Sequence, residues 1–118
     1  MRTTGSSGTA SAEALDELIE GTAFADSLNG EAGNDTVHGG AGADRAWLGI
    51  GNDLYSDTSR NEADSVWGGA GDDSIDGGGG GDVLYGEDGA DELSGGNGND
   101  TLWGGEGRTC CAAALGRI

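Results

Sequence analysis

A period of nine residues governs this chain. Asp stands at positions 26, 35, 44 and 53, then at 64, 73, 82, 91 and 100, and every step is nine except the eleven from Asp53 to Asp64. Glycines precede most of these Asp residues, and two residues after each stands an apolar or aromatic side chain. The unit reads G-G-x-G-x-D-x-U-x, with U large and apolar, and GGAGDDSID (68–76), GGGGGDVLY (77–85) and GGNGNDTLW (95–103) match it in full. A turn residue, an acid and a core residue repeated in phase mark a repeat architecture. A flexible Gly-rich linker has no reason to keep that phase.

Composition says what such a chain needs from outside. Its 118 residues make one domain at most. There are 27 Gly and no Pro, and 22 acidic residues against five Lys+Arg give a net charge of −17. Low hydrophobicity with high net charge buries too little apolar area to offset chain entropy, and glycine raises that entropy. The chain alone is therefore expected to be unfolded or nearly so, and divalent cations are the obvious source of the missing free energy. The charge excludes a nucleic-acid partner by repulsion. No apolar run is long enough to span a membrane, and MRTTGSSGTASAEA lacks the apolar region of a signal peptide. Cys110 and Cys111 are adjacent, so they cannot form a disulfide framework and read as free thiols or an incidental pair.

The frame divides the chain into a flexible lead-in or N-terminal cap (1–17), a repeat body (18–108) and an irregular tail (109–118). Leu15, Leu18 and Ile19 have helical spacing, which suits a short amphipathic helix over 12–20. The nine-residue frame run backward instead puts Ile19 at a U position in a degenerate first coil. The later U positions are Leu28, Val37, Ala46, Tyr55, Val66, Ile75, Leu84, Leu93 and Leu102, and Cys111 falls in the next such slot. Asp57 and Thr58 read as a two-residue insertion, and the following unit, SRNEADSVW (59–67), keeps Asp64 and Val66 but has no glycine.

Each unit splits into a turn, G-G-x-G-x-D, and a strand, x-U-x. Alternate strand side chains face opposite ways, so U points inward and its neighbours outward. Two units make one 18-residue coil, and stacked coils give two parallel sheets around a thin core. The expected fold is thus all-β, a two-sheet solenoid of 18-residue coils. Turns of the same parity stack. Glycine permits positive φ, so backbone carbonyls can turn into the space between stacked turns, where the Asp carboxylates also point. Hard oxygens, ~6–8 of them, are what Ca²⁺ selects, whereas Mg²⁺ demands tighter octahedral geometry and keeps its waters.

The expected ligands are the side chains of Asp26, Asp35, Asp44, Asp53, Asp64, Asp73, Asp82, Asp91 and Asp100. With them go the carbonyls of Gly33, Gly42, Gly51, Gly71, Gly80, Gly89 and Gly98. One edge pairs Asp26, Asp44, Asp64, Asp82 and Asp100 in succession, and the other pairs Asp35, Asp53, Asp73 and Asp91. Four pairs plus three allow at most about seven sandwiched ions. Best supported are Asp35 with Asp53, Asp73 with Asp91 and Asp82 with Asp100; the two sites that share Asp64 depend on the glycine-free turn, Asp53 with Asp73 spans the insertion, and Asp26 with Asp44 has Phe24 where a glycine belongs. Asp72, Asp76, Glu87 and Asp88 lie outside the main slot and read as solvated acids.

These residues resemble the repeats-in-toxin (RTX) family, the glycine-rich nonapeptide repeats of secreted bacterial proteins, from about Gly21 to Gly107. The resemblance implies a right-handed parallel β-roll with Ca²⁺ between successive turns and folding driven by ion binding. It also implies type I secretion and an extracellular location. Family repeats often accompany a protease, lipase, toxin or adhesin domain.

The last position of alternate units carries Asn29, Trp47, Trp67, Tyr85 and Trp103, which places an aromatic column on one outer face. It reads either as a ladder stabilising that face or as a docking surface for a partner domain, a second copy or a glycan. The leading function is Ca²⁺ binding without catalysis, and the rival is a surface- or glycan-binding adhesin fragment. Open solenoid ends offer a further route to self-association. Neither HExxH nor GxSxG occurs, and the one His, His38, has no nucleophile beside it.

Overall fold

The computed structural model describes residues 16–107 in full and the backbone of 2–3, 8–11 and 110–113. The described residues form thirteen strands and no helix. They are β1 (Arg2–Thr3), β2 (Gly8–Ser11), β3 (Leu18–Glu20), β4 (Asp26–Asn29), β5 (Thr36–His38), β6 (Arg45–Ile50), β7 (Leu54–Ser56), β8 (Ser65–Ala70), β9 (Ser74–Asp76), β10 (Val83–Tyr85), β11 (Glu92–Gly96), β12 (Thr101–Trp103) and β13 (Cys110–Ala113). Odd strands make one sheet and even strands the other, each in sequence order. Every pairing is parallel, because the chain leaves each sheet, crosses through the other and re-enters one coil later running the same way. The fold is a β-solenoid of about five coils.

Register carries the nine-residue frame into space. Ile19 pairs with Val37 and Val37 with Tyr55, while Leu84 pairs with Leu102, each 18 residues apart. Across the insertion Ala46 pairs with Val66 and Tyr55 with Ile75, 20 apart, so both sheets absorb the extra residues without slipping. The molecule is 13 Å thick in its thinnest dimension, which admits one layer of side chains between the sheets. That layer holds Ile19, Leu28, Val37, Ala46, Tyr55, Val66, Ile75, Leu84, Leu93 and Leu102, all at U positions and all buried.

The frame reading of β3 is the one observed, because Ile19 is wholly buried in a strand; residues 12–15 of the helical alternative lie outside the described residues. Leu48 is a core residue that the U rule misses. It follows Ala46 by two, so it points to the same side of β6 and adds apolar volume beside the smallest U side chain. The ends also differ from expectation. The lead-in contains β1 and β2, and the tail read as irregular contains β13, which pairs with β11 and sets Cys111 opposite Leu93. Parallel pairing uses backbone groups alone, so a neighbouring coil can order a segment that lacks the motif. The Cys110 and Cys111 side chains lie outside the described residues.

Candidate metal centre

Each of the nine repeat Asp residues closes a turn and leads into a strand, and each is at most 4% exposed. Stacking divides the labour of the two carboxylate oxygens. Oδ1 accepts the amide of the Asp one coil earlier: Asp26 N to Asp44 at 2.8 Å, Asp35 N to Asp53 at 2.7 Å, Asp53 N to Asp73 at 2.8 Å, Asp73 N to Asp91 and Asp82 N to Asp100 at 3.0 Å. Glu17 N does the same for Asp35. The glycine-free turn does not interrupt this ladder. Asp44 N reaches Asp64 at 2.8 Å and Asp64 N reaches Asp82 at 2.9 Å.

Oδ2 is different. In Asp35, Asp44, Asp53, Asp73, Asp82, Asp91 and Asp100 it is buried with no hydrogen-bond partner. A buried acceptor left unpaired is costly, and a buried charge more so. Six of these oxygens face the first glycine of their own turn (Gly30, Gly39, Gly68, Gly77, Gly86 and Gly95), where an added Cβ would collide with them. First-slot glycine therefore keeps a space open in front of the carboxylate.

The fourth-slot glycines let neighbouring turns approach closely. Gly33, Gly42, Gly51, Gly71, Gly80, Gly89 and Gly98 all have φ between +105° and +140°, a region that L side chains rarely enter. On the edge carrying Asp35, Asp53, Asp73 and Asp91, a Cβ on Gly51, Gly71 or Gly89 would strike the carbonyl of Gly33, Gly51 or Gly71 respectively. On the opposite edge Gly98 sits in the same way against the Gly80 carbonyl, while Gly42 packs on Phe24. The donor set is all oxygen, part anionic and part carbonyl, which suits a hard cation such as Ca²⁺.

Without an ion this arrangement opposes ionisation. Burial first, then neighbouring carboxylates, push Asp44, Asp73 and Asp82 up to about 7 and Asp53 to about 6, against the pull of their amide hydrogen bonds. Burial likewise raises Asp35 and Asp91. Asp64 is raised by burial and then by its hydrogen bond with Asp57.

Two sites are individual. Asp26 has its turn closed by Thr22, whose amide (2.6 Å) and hydroxyl (3.0 Å) donate to Oδ2, with Phe24 exposed in the fourth slot. Asp64 Oδ2 accepts from the Tyr55 hydroxyl at 3.4 Å. Sequence reasoning did not place Asp57 in the buried acidic cluster that it forms with Asp44 and Asp64. Its amide donates to Asp76 O at 3.1 Å, as the first-slot Gly39 donates to Ser56 O and Gly77 to Ser94 O. Asp57 thus stands in a glycine slot, and the two extra residues fall inside the turn rather than at Asp57 and Thr58. The signal was in the sequence: an acid where the frame, continued unshifted past Ser56, expects glycine. Asp72 is also more than a solvated acid, because its Oδ1 accepts the Ala90 amide at 2.9 Å.

The aromatic column forms as a stack. Trp47 and Trp67 lie 5.0 Å apart and 5° from parallel, Trp67 and Tyr85 5.5 Å and 8°, Tyr85 and Trp103 6.5 Å and 10°. Such pairs contribute ~0.5–1.5 kcal/mol each beyond area burial. Their ring faces are turned on one another, which leaves a glycan little open ring face to stack on and favours the stabilising ladder.

A family model, the RTX calcium-binding nonapeptide repeat (4 copies), matches residues 16–55, 60–84 and 76–108. Neither curated proteins nor solved structures gave a match.

Proposed function

The chain belongs to the RTX calcium-binding nonapeptide repeat family, and on that premise we propose that it is a Ca²⁺-triggered folding module whose body spans residues 18–108. Several ions lie between stacked turns. Their ligands are Asp26, Asp35, Asp44, Asp53, Asp64, Asp73, Asp82, Asp91 and Asp100, with carbonyls of the fourth-slot glycines, in at most about seven sites. The observation that carries this reading is the set of seven buried Oδ2 atoms without partners. A cation between turns gives each orphan oxygen a partner and offsets the repulsion of a chain of net charge −17.

Only the stacked turns bring the ligands together, so binding free energy becomes folding free energy. The matched family is a calcium-binding repeat and not an enzyme family, and the module's role is binding rather than catalysis. Extracellular modules bind Ca²⁺ at ~0.1–1 mM. A secreted protein meeting its ion outside the cell would fold there, which agrees with the family's usual location.

Far-UV circular dichroism during a Ca²⁺ titration, with Mg²⁺ as control, tests this. The expected result is a cooperative coil-to-β transition at or below millimolar Ca²⁺ that Mg²⁺ does not produce. A chain folded without Ca²⁺ at neutral pH, or disordered with it, would overturn the reading.

A further inference from the structure

The turn between β7 and β8 departs from its neighbours in three linked ways. It is two residues longer, it has no glycine, and it carries a carboxylate where the neighbouring turns of the same edge carry the buried first-slot glycines Gly39 and Gly77. Asp57 lies in the column between Gly39 and Gly77 and is 4% exposed. One carboxylate oxygen from each of Asp44, Asp57 and Asp64 falls within 4.8 Å of the other two.

Asp44 gives an independent sign of a missing partner. It is 1% exposed, its Oδ1 holds the Asp26 amide, and its Oδ2 has nothing. That Oδ2 and the Tyr55 hydroxyl both crowd the face of Gly39 on which a Cβ would sit. The same hydroxyl is 3.4 Å from Asp64 Oδ2. Polar atoms from four residues thus converge between the turn ending at Asp44 and the turn ending at Asp64.

We propose that Asp57 supplies a third carboxylate to the cation site between Asp44 and Asp64, which sets that site apart from the others on the roll. The proposal rests on the reading of the roll as a Ca²⁺ module. Residues 57–64 contain no positive φ, so this turn lacks the left-handed fourth-slot glycine that Gly42 and Gly80 provide on the same edge. Asp57 replaces that neutral oxygen with an anionic one. Its oxygens accept from Ser59 N at 2.7 Å and Ser59 Oγ at 2.9 Å, and its hydrogen bond with the Asp64 carboxyl is the contact that an ion between the two would replace. Regular sites have two carboxylates, whereas this one has three, and ligand charge is a main determinant of affinity for hard cations. The irregular turn is therefore the tightest site of the roll and the first to fill. It lies mid-stack, where a bound ion would pin coils from which both halves can grow.

The test is a Tb³⁺ titration of the whole chain, read as lanthanide emission excited through the aromatic rings, beside Ca²⁺ calorimetry. Tyr55 stands at the site and serves as its antenna. The wild type should show one tight step followed by weaker ones. Asp57→Asn should weaken the tight step about tenfold or more and leave the weaker steps in place. Asp57→Gly, which restores the repeat glycine, should do the same and guards against misfolding of the amide variant. Asp91→Asn, on the other edge, should remove weak binding and spare the tight step. A wild-type titration showing a single class of equal sites overturns the proposal, as does a tight step surviving in either Asp57 variant. A wild type that binds no Ca²⁺ at all would sink the calcium reading itself, an outcome distinct from loss of one step.

Discussion

The two turn edges of this solenoid are built from the same motif and are not equally regular. On the edge carrying Asp35, Asp53, Asp73 and Asp91, the fourth slot is Gly33, Gly51, Gly71, Gly89 and Gly107 without exception. The first four of these amides donate to the carbonyls of Ile50, Ala70, Asp88 and Glu106 in the next coil, all at 2.9 Å. The fifth slot adds a side-chain ladder, in which Asn34 N reaches Asp16 Oδ1, Asn52 N reaches Asn34 Oδ1, Asp72 N reaches Asn52 Oδ1 and Ala90 N reaches Asp72 Oδ1, at 2.8–2.9 Å. The opposite edge has Phe24 and Glu62 among its fourth-slot residues and Ala25, Ala43 and Ala63 in the fifth slot, and it takes the insertion. Both edges nonetheless keep the Oδ1 ladder at 2.7–3.0 Å. The carboxylate and the strand register hold a coil in place, and the glycine slots decide what kind of site lies beside it.

Removing ions should change both edges most. In the ion-free roll the carboxyls of Asp44, Asp73 and Asp82 titrate near 7 and that of Asp53 near 6, above the ordinary 3.8. A folded value above the unfolded one stabilises the fold at low pH, and that stability is lost as pH rises through the folded value. With a chelator present, β-structure should therefore be greater near pH 4 than at pH 7.5. With Ca²⁺ the order reverses, because protons compete for the same oxygens below about 7, and the Ca²⁺ midpoint should rise from pH 7 to pH 5. Circular dichroism across pH, with and without chelator, checks both directions.

Gly71→Ala should come next. It puts a Cβ at φ +130° against the Gly51 carbonyl, and the left-handed conformation alone costs ~1–2 kcal/mol. A loss of about 2 kcal/mol or more, read as a rise of the Ca²⁺ midpoint, would mark the regular edge as dependent on its glycines. Tyr55→Phe probes the interrupted edge. Losing the hydroxyl that reaches Asp64 should cost about 1 kcal/mol, measured by urea unfolding in saturating Ca²⁺. Asn52→Ala should have the smallest effect, about 0.5 kcal/mol in the same assay, because its ladder bond is exposed. If Asn52→Ala proves worse than Gly71→Ala, the fifth-slot ladder rather than the glycine column sets the regularity of that edge.

Much of this was legible in the residues. The U positions from Ile19 to Leu102 are the core, and the nine Asp residues are buried and stacked as their spacing requires. Leu48 escaped because it stands in a first slot, where the motif expects glycine and so gives no core residue. Asp57 escaped because a two-residue excess can be placed anywhere in a turn until hydrogen bonding to the next coil chooses. The Asn34–Asn52–Asp72 ladder was hidden because the motif's fifth position accepts any residue.

By itself the sequence determined the period, the inward and outward faces, the two parity-related edges and the oxygen-rich chemistry of the turns. These follow from local rules: alternation along a strand, positive φ at glycine, and a fixed count of residues per coil. Only the tertiary structure decided that Oδ1 is consumed by the stack while Oδ2 of seven of the nine Asp residues is buried without a partner, and that Asp57 enters the glycine column. Both depend on which amide of a coil some 18–20 residues away lies opposite, and parallel register, rather than neighbouring sequence, sets that.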